Sequence, residues 1–307
     1  MDLLDQLKTY STVVADTGDL GVIEKFRPRD ATTNPSIVLK TVTKNPYFLR
    51  NILTLYDGWG PDQILDRLVV EMGVEILKII PGRISTEVDA HLSFDATATV
   101  NKARELIDLY RARGVPRQSV LIKIAATWEG IQAAKSLEKE GIHCNMTLVF
   151  SLEQAVACAE AKVTLISPFV GRILDWYQSN NPEALVDGFD PGVESVRRIF
   201  SYYKKWGYET EIMAASFRNI EEITALAGCD LLTISPQLLE QLTQTEGTVS
   251  NEMESIGGEW EQKMALKESD FRLELNENQM AMEKLSEGIR LFCRDIRKLN
   301  ELIAERL

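Results

Sequence analysis

The sequence has few of the residues that build metal centres, disulfide scaffolds or nucleic-acid-binding surfaces. Its 307 residues include 4 cysteines and 2 histidines. The cysteines are Cys144, Cys158, Cys229 and Cys293. Because they lie far apart without CxxC spacing, we expect no zinc site and predict the reduced thiols of an intracellular protein. The net charge of −12, with no lysine- or arginine-rich arm, argues against a nucleic-acid partner.

Long apolar runs are also lacking. The opening residues, MDLLDQLK, are acidic and amphipathic and contain no signal-peptide core, and no apolar stretch approaches the length of a membrane span. We therefore expect a cytoplasmic protein without a membrane partner. What the sequence does have is an ordinary globular composition, with 45% hydrophobic and 26% charged residues. Its length suits one α/β barrel with additions.

Short apolar runs with strand character alternate with helix-length connections along the chain. The runs cover residues 11–16, 29–34, 82–87, 120–125, 143–150, 164–169, 211–217 and 231–235. This alternation is typical of a parallel sheet, and eight such runs suggest that the sheet closes into a barrel. The sequence therefore predicts one (β/α)8 TIM-type barrel domain over residues 1–307, with additional helices. Residues 95–110 and 129–141 have the apolar spacing and end signals of two connecting helices.

The clearest break in the chain is the polar loop at residues 243–251. Residues 244–307 are predicted to form a helical extension that ends in a long helix. The apolar seam of this helix recurs at steps of three and four, at Met282, Leu285, Ile289, Phe292, Ile296, Leu299 and Ile303. We expect the seam to pack on the protein's own barrel, and the alternative is a subunit contact in a homodimer.

A single lysine, Lys123, lies in the middle of the apolar run at residues 120–127 (VLIKIAAT). Burying an unpaired ammonium is costly, so such a lysine tends to become a neutral amine, which is a nucleophile towards carbonyl groups. The alternative is an edge-strand lysine whose amine reaches water. Lys78 also lies in an apolar run, but it is not a candidate nucleophile. Glu71, Glu75 and Lys78 have helical spacing and predict a solvated stripe on a helix.

Nearly every predicted strand ends in a polar residue that its apolar context does not explain. These residues are Asp16, Asn34, Glu87, Lys123, Asn145, Thr147, Ser167 and Ser216. Since barrel enzymes carry their reactive groups at the carboxyl ends of the strands, the set predicts an active site there. Arg172 and Arg218 each follow a strand end within a few residues, and together they form a candidate phosphate pocket in an acidic protein.

The segments around these residues resemble the signature blocks of the transaldolase family, in family order. The blocks are VVADTGD at 13–19, DATTNPS at 30–36, PGRISTEVD at 81–89, LIKIAAT at 121–127, CNMTLVF at 144–150, ISPFVGRILDW at 166–176 and ASFRN at 215–219. The resemblance extends over about residues 10–236. It is to the long, cofactor-free transaldolases of the pentose phosphate pathway, and it implies an (α/β)8 barrel, a Schiff-base lysine on the fourth strand and sugar phosphates as substrates.

The resemblance also implies a role for each matching position. Lys123 matches the Schiff-base lysine, Asp16 the acid/base carboxylate and Glu87 a carboxylate that acts through a water. Thr147 matches the threonine beside that water. The positions that match residues holding the hydroxyls of the dihydroxyacetone unit are Asn34, Asn145 and Ser167. The phosphate-binding positions are Arg172, Ser216 and Arg218, and the positions that match the wall of the site are Thr32 and Phe169.

This chain departs from the family pattern in places, and other functions compete with transfer. Ala126 stands where we expect serine in related enzymes, and the chain beyond Gln237 matches least. An aldolase of the same superfamily would release the three-carbon fragment as free dihydroxyacetone. A binding protein on the same barrel would lack the lysine or a carboxylate, whereas this chain has Lys123, Asp16 and Glu87. The sequence therefore predicts transfer of the fragment between sugar phosphates.

Overall fold

Parallel strands form a closed barrel at the centre of the protein. The computed structural model describes residues 2–186, 188–254, 256–257 and 260–307. The strands are β1 (Thr12–Asp16), β2 (Asp30–Thr32), β3 (Ile84–Glu87), β4 (Val120–Ala125), β5 (Cys144–Val149), β6 (Leu165–Pro168), β7 (Glu211–Ala214) and β8 (Leu231–Ile234). They pair in sequence order, and β8 pairs with β1 to close the barrel. The predicted eight-stranded barrel is confirmed, and each predicted run contains one strand.

Helices surround this barrel. They are α1 (Leu3–Leu7), α2 (Leu20–Phe26), α3 (Pro35–Lys44), α4 (Pro46–Leu55), α5 (Pro61–Leu77), α6 (Ala96–Ala112), α7 (Trp128–Lys139), α8 (Leu152–Glu160), α9 (Gly171–Asn180), α10 (Pro191–Trp206), α11 (Ile220–Thr224), α12 (Pro236–Gln244), α13 (Glu268–Glu277) and α14 (Gln279–Ala304). Short 3-10 helices lie at Ala90–Leu92, Arg117–Ser119 and Pro182–Ala184. In the described part of the chain, no helix combines the length and apolar character needed to cross a bilayer.

The inside of the barrel is built in two layers. The lower layer is an apolar cluster of Val14, Leu121, Leu165, Met213 and Leu231. Side chains two residues apart on a strand point to the same face. The inward-facing residues that follow on β1, β4 and β6 are therefore Asp16, Lys123 and Ser167. The polar residues at the carboxyl ends of the strands thus lie next to this apolar cluster inside the barrel.

The solvated stripe predicted for α5 is wrong at Glu71. This residue is 5% exposed, and its Oε1 accepts a hydrogen bond from Tyr56 Oη at 2.6 Å and lies 2.8 Å from Arg113 Nε. Helical spacing could not show these partners, because they come from the ends of α4 and α6. Glu75 and Lys78 do form a surface ion pair, with 2.5 Å between Oε1 and Nζ.

The C-terminal helix α14 lies over the carboxyl end of the barrel. It packs on α3, α5, α9, β5 and the short helix at Ala90–Leu92. Its seam residues Leu285, Ile289, Phe292, Ile296, Leu299 and Ile303 are buried, and Met282 is partly buried. The apolar seam is thus covered by elements of the same chain, while the homodimer stays a prediction.

Candidate active site

Lys123 lies at the centre of the polar layer. The register of the sheet places it opposite Glu87 of β3 and Asn145 of β5. Lys123 is 4% exposed, its Nζ donates to the carbonyl oxygen of Thr33 at 3.3 Å, and it lies 3.4 Å from Glu87 Oε2. Both distances are long for charge-assisted hydrogen bonds, so the amine is placed without being tightly held. The alternative of an edge-strand lysine does not apply, because a closed barrel has no edge strand.

Two carboxyl groups, those of Glu87 and Asp16, interact electrostatically with Lys123. Burial raises the pKa of Glu87 to about 7, with the Lys123 and Arg172 cations opposing the rise and Asp16 adding to it. Burial also raises the pKa of Asp16, again against the pull of Lys123 and Arg172. Asp16 borders a cavity of about 500 Å³ that also reaches α2, α3 and α5. A carboxyl group with a pKa near neutrality can both give and take protons, which makes Glu87 suited to acid–base chemistry.

Some buried oxygens near this site have no hydrogen-bond partner in the described chain. They include Oε2 of Glu87, which lies 3.4 Å from Lys123 Nζ, and Oγ1 of Thr147. Thr147 stands opposite Ala125 in the β4–β5 register, two residues beyond the pair formed by Lys123 and Asn145. Buried polar atoms are normally hydrogen-bonded, so these oxygens are available to a hydroxyl group of a substrate or a water.

A chain of hydrogen bonds across three strands fixes the side chain of Asn145. Ser167 Oγ donates to Asn145 Oδ1 at 2.6 Å, and Asn145 Nδ2 donates to Ser85 Oγ at 3.0 Å. The sequence reasoning did not identify Ser85, although it lies two residues before Glu87 and therefore on the same face of β3. Ser85 sets the orientation of the amide, and with it the donor and acceptor that the site presents.

The residues after β2 form the next part of the wall. Thr32 and Thr33 are buried, and the Thr33 carbonyl, which sequence reasoning also missed, accepts the bond from Lys123. Asn34 begins α3 as its N-cap, with Oδ1 accepting from the backbone N–H of Ile37 at 3.0 Å. Capping alone is a sufficient reason for an asparagine at this position. Because Oδ1 is used by the cap, the side-chain NH2 is the group that can contact a substrate.

The loops after β6 and β7 approach each other closely on the side of the two arginines. The Gly171 N–H donates to the carbonyl of Ser216 at 3.0 Å, and a Cβ at position 171 would lie 2.4 Å from Arg218 Cγ. Ser216 has a φ of +62°, a strained value for a residue with a side chain. Arg218 is fixed by Asp175, whose Oδ2 lies 2.7 Å from Nη2.

Arg172 and Phe169 complete this side. Arg172 is the second residue of α9, and its guanidinium carbon lies 4.9 Å from the centre of the Phe169 ring. Burial lowers the pKa of Arg172, and the nearby Arg218 lowers it further. Arg172 thus feels the charge of Arg218 on one side and the charges of Asp16 and Glu87 on the other. The residues predicted from the sequence thus lie on the strands or within a few residues of their carboxyl ends, and their roles stay predictions.

Comparisons with known proteins show the family of this chain. The family described as transaldolase/fructose-6-phosphate aldolase matches residues 13–303, which extends the resemblance well into the C-terminal tail. Among solved structures, a mandelate oxidase mutant with a monooxide FMN adduct shares 13% identity, over 76% of this chain and 71% of that chain, at a TM-score of 0.41. A likeness this distant carries no argument about function. The family match covers nearly the whole barrel and α14, and the chain therefore belongs to the transaldolase/fructose-6-phosphate aldolase family.

Proposed function

We propose that the protein is a transaldolase, which transfers a dihydroxyacetone unit from sedoheptulose 7-phosphate to glyceraldehyde 3-phosphate. The products are erythrose 4-phosphate and fructose 6-phosphate. The observation that supports this proposal best is the position of Lys123, a buried amine 3.4 Å from the carboxyl group of Glu87 and electrostatically coupled to Asp16. A lysine with acid–base partners in a dry site is the arrangement that Schiff-base chemistry requires.

The first step forms the covalent intermediate. The amine of Lys123, once it has lost its proton, attacks the ketose carbonyl, and the resulting carbinolamine loses its hydroxyl group as water to give an iminium. Glu87 supplies the proton to the departing oxygen and takes it back during hydrolysis, a role suited to its pKa of about 7. Thr147 Oγ1, which has no hydrogen-bond partner in the described chain, orients a water through which Glu87 passes these protons.

Carbon–carbon cleavage follows from the iminium, which accepts an electron pair. Asp16 removes the proton from the C4 hydroxyl, the C3–C4 bond breaks, and its electrons move into the iminium to give an enamine on Lys123. The aldose leaves, and the hydroxyls of the three-carbon fragment are held by Asn34, Asn145 and Ser167. When an acceptor aldehyde binds, the same steps run in reverse.

Each of the two aldoses carries a phosphate group. We expect the pocket that contains Arg172 and Arg218 to bind it. Arg172 and Arg218 supply charged donors, and Ser216 supplies a hydroxyl from its strained position between the loops. Thr32 and Phe169 shape the walls of the site. One pocket thus serves both the donor and the acceptor.

The pH dependence of the first step tests the role of Glu87. Dehydration of the carbinolamine needs the protonated acid, so its rate should fall as the pH rises through about 7. Hydrolysis of the iminium needs the carboxylate, so its rate should rise over the same interval. In Glu87→Gln both dependences should disappear, as measured by borohydride quenching at successive pH values. Glu75→Gln, on the surface beside Lys78, is the control. A profile that persists unchanged in Glu87→Gln would assign the titration to another group.

The family also contains aldolases, so transfer must be distinguished from release of the fragment. Release requires an acid or an ordered water at the enamine carbon. Phe169 lies at the wall position where we expect a tyrosine in related aldolases, and it packs edge-on against Phe150 with 5.4 Å between the ring centres. A phenyl ring offers no donor and no anchor for water, which protects the enamine from protonation.

We therefore expect little free dihydroxyacetone from fructose 6-phosphate alone, and rapid exchange once erythrose 4-phosphate is added. Phe169→Tyr should increase release relative to transfer, and Phe150→Leu, which alters the packing without adding a hydroxyl, should not. Both products can be followed by coupled assays. If the unmodified protein released dihydroxyacetone as fast as it transferred it, the aldolase function would replace the proposed one.

A further inference from the structure

The guanidinium group of Arg172 lies near two aromatic rings that come from distant parts of the chain. Its central carbon is 4.9 Å from the centre of the Phe169 ring and 6.0 Å from that of Phe292, which belongs to α14. In the described part of the chain Arg172 forms no ion pair and no hydrogen bond, whereas Arg218 is paired with Asp175. The two rings therefore act on Arg172 together with the charges of Glu287, Asp16 and Glu87, and its N–H donors are left to bind an anion.

The helix that carries Phe292 is fixed at several points, so the ring has a defined position. Gly288 lies against Leu148, and a Cβ at position 288 would come within 2.6 Å of Leu148 Cδ2. At one end of α14, Glu283 Oε2 accepts from Trp176 Nε1 of α9 at 2.7 Å. Further along, Asp295 Oδ2 accepts from Ser36 Oγ of α3 at 2.5 Å. Phe292 itself is 1% exposed, between these contacts.

We propose that Phe292 is a positioning residue, through which the C-terminal helix holds Arg172 towards the phosphate of the substrate. The identity of the substrate rests on the proposed function. The binding of a phosphate anion by Arg172 does not. A cation over an aromatic face is stabilised by the ring quadrupole, and more strongly when both are shielded from water. Without the second ring, the long arginine side chain regains rotamers that point away from the phosphate.

The test uses Phe292→Leu, which removes the aromatic face and keeps an apolar side chain, and Phe292→Met as a second variant should the first fold poorly. Either should raise KM for glyceraldehyde 3-phosphate by roughly 5- to 30-fold. KM for unphosphorylated glyceraldehyde should stay within about twofold, because Phe292 acts only through the phosphate. Leu285→Ala, on the same buried seam beside a different cavity, is the matched control and should show no such difference between acceptors.

A double-mutant cycle separates positioning from general loosening of the helix. In the Arg172→Ala background, Phe292→Leu should have no further effect on KM for the phosphorylated acceptor. Additive effects of the two substitutions, or equal effects on both acceptors, would overturn the proposal.

The binding of inorganic phosphate to the unmodified protein and to Phe292→Leu, measured by calorimetry, gives a readout that does not depend on turnover. A weaker affinity in the variant, alongside failure of the unmodified protein to transfer, would refute the proposed function and leave the role of Phe292 standing. Equal affinities in the two proteins would refute the role of Phe292, whatever the activity.

Discussion

Lys123→Met is expected to abolish both turnover and borohydride trapping with fructose 6-phosphate. Removing the nucleophile of a covalent mechanism costs roughly five to six orders of magnitude in rate. The fold should survive, since methionine is flexible and apolar and the site lies next to the apolar cluster inside the barrel. Glu87 should also adjust, because the Lys123 ammonium is the main influence that opposes its raised pKa. Without that cation, Glu87 becomes a neutral acid rather than a buried unpaired charge.

The measurement is mass spectrometry of the reduced adduct, with circular dichroism to check the fold. Lys78→Met is the control, because Lys78 lies on the surface in an ion pair with Glu75. It should trap and turn over normally. An adduct on any lysine other than Lys123, or trapping that persists in Lys123→Met, would refute the mechanism.

Asp16→Asn should slow carbon–carbon cleavage by about two to four orders of magnitude, the usual cost of losing a positioned proton acceptor. The substitution keeps the size of the side chain and most of its hydrogen-bonding capacity, so sugar binding and iminium formation should change much less. Burial raises the pKa of Asp16, and the Lys123 and Arg172 cations oppose that rise. Because burial outweighs these charges and the pKa stays raised, the Asp16 carboxylate is a stronger base than an exposed one, and its loss should be costly.

The variant should accumulate the iminium, so borohydride should trap at least as much adduct as in the unmodified protein while single-turnover release of the aldose is slow. Asp19→Asn is a matched control from the same loop. Asp19 caps α2 and pairs with Lys44 at 3.0 Å on the surface, and asparagine caps a helix equally well. Near-normal turnover in Asp16→Asn would show that another group takes the proton.

The barrel, and the end of it where the candidate site lies, were predictable from local patterns in the sequence. Strands that are buried on both faces appear as short apolar runs, and the fully buried β4 and β5 are clear examples. The polar residues at the ends of these runs necessarily meet at one end of a closed parallel barrel. The sequence identified Lys123 in this way, because no other charged residue lies within β4.

The surroundings of other residues could not be predicted, because their contacts come from distant parts of the chain. Glu71 was expected on the surface, yet Tyr56 and Arg113 cover it. The Thr33 carbonyl and the Ser85 hydroxyl were missed because they act through Lys123 and Asn145 rather than as obvious catalytic groups. The seam of α14 was recognised as apolar, but its spacing gave no sign that the ring of Phe292 lies 6.0 Å from the guanidinium carbon of Arg172.

By itself, the sequence determined which side chains reach the carboxyl ends of the strands, because alternation along a strand and the order of the strands are properties of the chain. The tertiary structure decided how those side chains are charged and oriented. Burial and distances in space determine the pKa of Glu87, the amide orientation of Asn145 and the position of Arg172 near two rings. Those distances join residues far apart in the chain, as Thr33 and Lys123 are, and electrostatic and packing energies follow separation in space rather than in sequence.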